Sequence, residues 1–357
     1  MIGSGAPDHN TTAVTRDGLR GARPDREALT GAVDGKPLRP RHDEKGRRGG
    51  RGEQPMVPEA TFDSYYGRPV LNPPVWEPLD VAGYLFLGGL AGASSALGAG
   101  AQATGRAALA RVSKVGAAGA GLVSVAALVH DLGQPKRFLH MLRVFKVTSP
   151  MSVGSWLLAS YVPLAGVAAA SAVTGRAPRI GAAATGGAAL LGPAVASYTA
   201  ALIADTAVPA WHDGHREMPY VFVGSAATAA GGLGLVGAPL DQQGPARTLA
   251  LLGAVGELGA FELMKRRMGM VAEPYSSGTG GRLVRAGEVL ALAGTAGAVL
   301  GRRNRLAAAL SGAALLAASA ATRFGIFHAG MESAHDPRYT VEPQRERLRR
   351  HAAATST

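Results

Sequence analysis

Eight stretches of mostly apolar residues, each about 20 long, follow one another through the middle of this 357-residue chain. They occupy 81–103, 112–129, 151–173, 180–203, 220–238, 248–264, 283–300 and 306–327. Inside a bilayer no water satisfies backbone N–H and C=O groups, so segments of this length and composition cross as helices. The expected fold is therefore all-α, a polytopic membrane bundle of about eight transmembrane helices. The stretches at 180–203 and 283–300 are rich in Ala and Gly instead of Leu. That lowers their hydropathy but suits close helix contact, as does the run from Gly88 to Gly92.

Average composition conceals this pattern, because a hydrophobic fraction of 47% and a mean hydropathy of +0.10 would suit a soluble enzyme. The apolar residues are compressed between polar ends. The expected organisation is a polar tail at 1–60, an interfacial Pro/aromatic segment at 61–79, a membrane domain at 80–328 and a polar C-terminal tail at 329–357. The N-terminal tail mixes Arg, Asp, Gly and Pro without a hydrophobic period and is expected to be disordered. Its first 30 residues lack the apolar run of an export signal, so the first helix is expected to direct insertion.

A net charge of +12 raises the possibility of nucleic acid. The N-terminal Arg47, Arg48 and Arg51 are, however, interleaved with Asp43, Glu44 and Glu53, and no aromatic platform accompanies them. A solvated or lipid-headgroup-facing tail is the expectation, with no nucleic-acid partner. The chain has no cysteine, which removes disulfides, thiolate metal sites and protein-bound iron–sulfur clusters. His130, His140, His212, His215, His328 and His335 fall in loops or at the ends of the apolar stretches, where they do not suit axial ligation of a haem between helices.

With eight spans the termini share a side with the loops at 130–150, 204–219 and 265–282, which are long, whereas links such as 174–179 and 302–305 are short. Long connections more often carry function. The long-loop face also holds the unusual residues: Ser64-Tyr-Tyr-Gly-Arg-Pro69, Pro73-Pro-Val-Trp76, His130-Asp-Leu-Gly-Gln-Pro-Lys-Arg-Phe138, Ser149-Pro-Met-Ser-Val-Gly-Ser-Trp156 and Arg323-Phe-Gly-Ile-Phe-His328. Trp76 and Trp156 suit an interfacial aromatic belt equally well. His130 and Asp131 sit where the second helix leaves the membrane, a place where an ionisable pair can exchange protons with a lipid-soluble substrate.

Within the spans, Pro163 and Pro193 each remove a backbone bond and are expected to kink their helices. Tyr198 and Asp205 are seven apart, so a phenol and a carboxylate share one column if the helix persists that far. Glu257, Glu262 and Glu288 are ionisable groups in the sixth and seventh stretches and form a candidate proton path. Glu257 reads equally as a neutral carboxyl bonded to a neighbouring helix, and Glu262 as a group that snorkels or pairs near Lys265 and Arg266. Arg323, near the end of the last stretch, either pairs with Asp131 or Asp205, contacts a partner, or is a plain interfacial arginine.

The block from His130 through Phe138, Met141-Leu-Arg-Val-Phe145 and Ser149 to Trp156, with Tyr84-Leu-Phe-Leu-Gly-Gly-Leu-Ala-Gly92, resembles the NrfD/PsrC membrane subunits of polysulfide-reductase-type respiratory complexes. The resemblance covers about 65–339. It implies a multi-pass cell-membrane subunit that binds quinone, either menaquinone or ubiquinone, and anchors a ferredoxin-like iron–sulfur subunit serving a molybdenum or tungsten catalytic subunit. Polysulfide reductase, formate dehydrogenase and nitrite reductase systems of anaerobic respiration all fit. Electrons would pass between the partner's cluster and quinone, so the membrane subunit itself needs no haem, cluster or metal. On this reading His130 and Asp131, then Tyr198 and Asp205, serve the quinone, while Arg137, Arg143, Trp156 and Arg323 face the partner. The alternative from another class is a secondary transporter or proton-translocating protein, which intramembrane glutamates would also suit. Against it, the halves show no obvious repeat and the polar motifs gather at one face. Basic residues divide almost evenly between the two sides, and Arg345, Arg347, Arg349 and Arg350 tip the expectation towards cytoplasmic termini.

Overall fold

The computed structural model describes residues 70–134 and 136–355, with side chains as far as 350, and an antiparallel pairing of Val14–Thr15 with Gly18–Leu19. The rest of the N-terminal tail and of the segment before residue 70 lies outside the described residues. Eight long helices carry the architecture: α1 Pro78–Ala103, α2 Ala107–Asp131, α4 Pro150–Thr174, α5 Pro178–Ala204, α7 Met218–Gly237, α8 Gly244–Met268, α9 Gly278–Leu300 and α10 Arg305–His335. Short helices α3 (Lys136–Met141) and α6 (Pro209–Asp213) sit in the long loops. Many of the long helices start where the sequence places a proline in the first turn, where its missing N–H costs nothing. Ser149 adds a side-chain cap on α4, accepting from the Ser152 amide at 3.4 Å.

Helices α1, α2, α4 and α5 pack in a ring, each against the next. A second ring follows from α7 against α8, α8 against α9, and α10 against both α9 and α7. Contacts of α7 with α1, α2 and α5 join the two bundles. The interior is built largely of small residues, while Leu122, Leu190, Leu252, Leu292 and Leu310 point outwards. That distribution is the reverse of a water-soluble core, and it follows from lipid being as apolar as leucine. Small residues let backbones touch. At Gly92 of α1 an added Cβ would stand 2.3 Å from the Gly192 carbonyl oxygen of α5, so the two chains cross without room for a methyl group.

Pro163 and Pro193 lie inside α4 and α5, and each helix runs unbroken past its proline. The last long helix extends to His335, beyond the expected end at 327, so His328 and His335 belong to it. The C-terminal segment is helical too, as α11 (Arg338–Thr355), with Arg350 and Glu346 paired one turn apart.

Seven of the eight long helices are apolar enough to cross a membrane by length and composition. The exception is α8, which carries Arg247, Glu257, Glu262, Lys265, Arg266 and Arg267. Its neighbours bury part of that charge, and it packs against α7. A labelling experiment decides whether α8 crosses. Single cysteines at Thr148 and Ser276, probed with an impermeant reagent in intact cells and inverted vesicles, are expected to label from the same side. Opposite labelling would mean that α8, or another of the four helices between them, does not span.

Candidate functional site

Helix α1 begins at Pro78 with Asp80 in its first turn, and the antiparallel α2 ends at Asp131. These ends meet. His130 Nδ1 lies 2.7 Å from Asp80 Oδ2, the histidine side chain 80% exposed and the aspartate only 16%. Glu77 and Asp131 are close enough to act electrostatically on the pair. One corner of the first bundle thus gathers three carboxyl groups and an imidazole. Sequence reasoning found His130 and Asp131 but missed Asp80, although an acid one turn before Tyr84 at the start of a span was a visible signal.

One turn deeper on α1, Tyr84 is buried; its carbonyl accepts from Ser124 Oγ at 3.3 Å and its ring meets Tyr198 edge-on at 6.5 Å. Tyr198 lies against Gly154 of α4, where a Cβ would come within 2.2 Å of the ring. Its hydroxyl is buried without a hydrogen-bond partner. An unsatisfied buried hydroxyl costs about 1–3 kcal/mol, and here it is a donor free to meet a carbonyl oxygen. The expected column with Asp205 does not form, because α5 ends at Ala204 and Asp205 leaves the helix as an exposed C-cap. Tyr84 takes the place next to Tyr198 instead.

The loop after α2 is held by the start of α4. Ser152 Oγ donates to the Val144 carbonyl and accepts from the Lys146 amide, both at 3.0 Å. Trp156 Nε1 reaches the Val144 carbonyl at 3.4 Å, and its ring meets Phe145 edge-to-face. Trp156 is thus a support of this loop. Arg137 donates to the Leu132 carbonyl at 3.1 Å, whereas Lys136, Arg143 and Lys146 are exposed beside exposed Leu139, Val144, Phe145 and Val147.

A second cluster at the same end ties the segment before α1 to α6 and α10. Trp76 stacks on Trp211 at 5.6 Å, and Trp211 packs on Phe327 and donates Nε1 to the Ile326 carbonyl at 2.8 Å. Tyr275 donates to the Ala210 carbonyl at 2.9 Å. Trp76, for which an interfacial belt is one of two readings of the sequence, is half-buried in this stack. Arg267 clamps the neighbouring loop with two bonds to Glu217, at 2.7 and 2.6 Å, and a third to the Asp213 carbonyl. Those bonds hold the Glu217 carboxyl below the usual carboxylate range. The clamp is therefore fully formed above ordinary carboxylate pKa values and weakens only as pH falls through the lowered one.

The remaining candidates lie in the second bundle. Glu257 is 3% exposed, and Glu288 pairs with Lys265 at 3.3 Å. Lys265 and Arg266 both pair with the more exposed Glu262, as the snorkelling reading expects. Arg323 needs correction. Because α10 continues to His335, Arg323 is well inside the helix and 0% exposed, its Nη2 donating to the Phe222 carbonyl at 2.6 Å and its guanidinium over the Phe222 ring. Its bonded and stacking contacts are with α7 and not with Asp131 or Asp205, and burial leaves it no surface for a partner. Among the described residues no group of three His, Asp or Glu side chains is placed to hold a metal ion.

The helices that build the His130 corner are those that a protein-family model, polysulphide reductase, NrfD, matches over residues 70–239. The match, over a little under half of the chain, supports the resemblance to the NrfD family. No curated protein matches the chain significantly. NrfD proteins are membrane subunits of quinone-interacting oxidoreductase complexes, and this chain is a multi-pass membrane protein. The NrfD match spans α1 to α7 and so takes in Asp80, His130, Asp131, Tyr198 and the loop with Arg137 and Arg143. It stops before α8, leaving Glu257, Glu262, Glu288 and Arg323 outside.

Proposed function

We propose that this protein is the quinone-reactive membrane anchor of a respiratory oxidoreductase complex in the cell membrane. It passes electrons between a ferredoxin-like iron–sulfur subunit, which serves a molybdenum or tungsten catalytic subunit, and menaquinone or ubiquinone. The observation that carries this reading is the corner where the His130–Asp80 pair, beside Asp131, lies one helical turn above Tyr84 and the unpartnered Tyr198 hydroxyl. Quinone reduction needs hydrogen-bond donors for the carbonyls and two protons for the product, and this corner offers a buried phenol with ionisable groups open to water above it. The exposed basic and apolar loop around Arg137, Arg143 and Phe145 adjoins the corner, so a docked cluster-bearing subunit would stand near the bound quinone. Quinone would approach from lipid, and the acid–base pair would exchange its protons with water.

Affinity purification of the tagged protein from its native membrane tests the proposal. A cluster-bearing partner is expected to co-purify, the visible spectrum to contain no haem band, and the preparation to reduce or oxidise a quinone analogue. Isolation without any redox partner, together with solute transport by the protein alone in vesicles, would instead establish the transporter reading.

A further inference from the structure

The second bundle contains a polar site that the quinone reading does not use. Glu257 of α8 is 3% exposed, and the hydroxyls of Ser225 and Thr228 on α7 and Thr322 on α10 surround its carboxyl, with Arg323 within electrostatic range. Yet Glu257 Oε2 has no hydrogen-bond partner, and neither have Nε and Nη1 of Arg323. Burying an ionisable group unsatisfied is costly, so such groups persist where water or a moving proton completes them. Next to Glu257 lies a cavity of about 10 Å³, lined also by Phe261, Val284, Gly287, Glu288 and Thr322. That volume is close to the space one water molecule needs, and the lining offers it polar partners in Glu257, Glu288 and Thr322. Glu288 in turn pairs with Lys265, and Lys265 with the half-exposed Glu262 near the end of α8.

We propose that Glu257 is a proton-exchanging site in the core of the second bundle, reached from the long-loop end through Glu262, Lys265, Glu288 and a single water. The Lys265 ammonium gives a proton to the Glu288 carboxylate as an N–H bond breaks and an O–H bond forms, and Glu288 releases it to the water. The water passes a proton to Oε2 of the ionised Glu257, where a new O–H bond forms, and the Lys265 amine regains its proton from solvent beside the half-exposed Glu262. One proton moves and no other reactant is required. Arg323 faces the site from α10, and its Nη2 is anchored on the Phe222 carbonyl, which keeps it in place. The charges that lower the hydropathy of α8 are, on this view, the working parts of the helix. The proposal is independent of the quinone site, which lies in the other bundle.

Infrared difference spectroscopy of the purified full-length protein tests it without reference to redox activity. A protonated carboxyl gives its own C=O stretch, which shifts on exchange into D2O. A carboxyl band that rises and falls with pH is expected in the wild type and absent from Glu257→Gln. If that variant does not fold, Glu257→Asp keeps the carboxyl and moves the band. Replacing Glu288 by Ala is expected to leave the band but slow its exchange into D2O by about a hundredfold, the usual scale of a lost proton-transfer group. Absence of any titrating band assignable to Glu257, or equally fast exchange in Glu288→Ala, would overturn the proposal.

Discussion

Replacing His130 by Ala in the assembled complex is expected to lower quinone-linked turnover by about a hundredfold, within the range that a positioned acid–base group contributes. Electron transfer from the catalytic subunit to a soluble dye should be unchanged, because in the proposed complex the partner subunits carry that path. Asp131→Asn and Asp80→Asn should act in the same direction, since each keeps the side chain's size while removing an exchangeable carboxylate. Asp80→Asn distinguishes a proton-exchanging pair from a merely structural contact. An amide can still hydrogen-bond His130 Nδ1, so a structural contact would survive this change, whereas a charge-dependent one would not. Tyr198→Phe removes only the unpartnered hydroxyl and should raise the quinone KM with little effect on assembly. Full quinone turnover in both His130→Ala and Asp131→Asn would place the pocket elsewhere.

Substituting Gly92 by Ala is expected to destabilise the protein by about 3 kcal/mol, the upper part of the usual range for overpacking. The new Cβ would stand 2.3 Å from the Gly192 carbonyl oxygen and 3.1 Å from the Ala196 amide nitrogen, and both are backbone atoms that cannot rotate away. Within a membrane nothing recovers that loss, because helices hold together by close packing and not by exclusion of water. Gly100 on the same helix is the control. Nothing lies within 4 Å of a Cβ there, so Gly100→Ala should be neutral or gain up to about 1 kcal/mol of helix propensity. Thermal or SDS unfolding in detergent measures both variants. Equal stability of Gly92→Ala and the wild type would show that α1 and α5 are not in backbone contact.

Hydropathy is a local property of a segment, and for that reason the long helices were legible before any coordinates. Length and apolar content located the eight long helices to within a few residues at most ends, while the short α3 and α6 lie within long connections whose sequence reads as loop. The largest error fell at the end of α10, where His328, Glu332 and His335 lower the hydropathy of a helix that protein contacts prolong. The same local logic underrates α8, whose charges are partly answered by neighbours that no window along the chain can see. Part of the candidate site was legible as well. His130 and Asp131 stand out because ionisable residues at the mouth of a span are costly unless used. Tyr198 stands out less, and its pairing with Asp205 failed because the seven-residue spacing assumes a helix that ends one residue too early.

What the sequence determined alone is the chain's solvent: a row of apolar segments long enough to span a bilayer forces helices, and the absence of cysteine leaves no thiolate among its side chains. Which residues meet across the helices was decided by tertiary structure. Asp80 reaches His130 across fifty positions because α1 and α2 are antiparallel neighbours, and Arg323 turns inwards because the Phe222 carbonyl lies beside it. The small-residue faces that bring these helices together are nearly alike along the chain, so no single one names its partner. Only the simultaneous packing of all of them selects which backbones touch, and with that which polar groups are buried together.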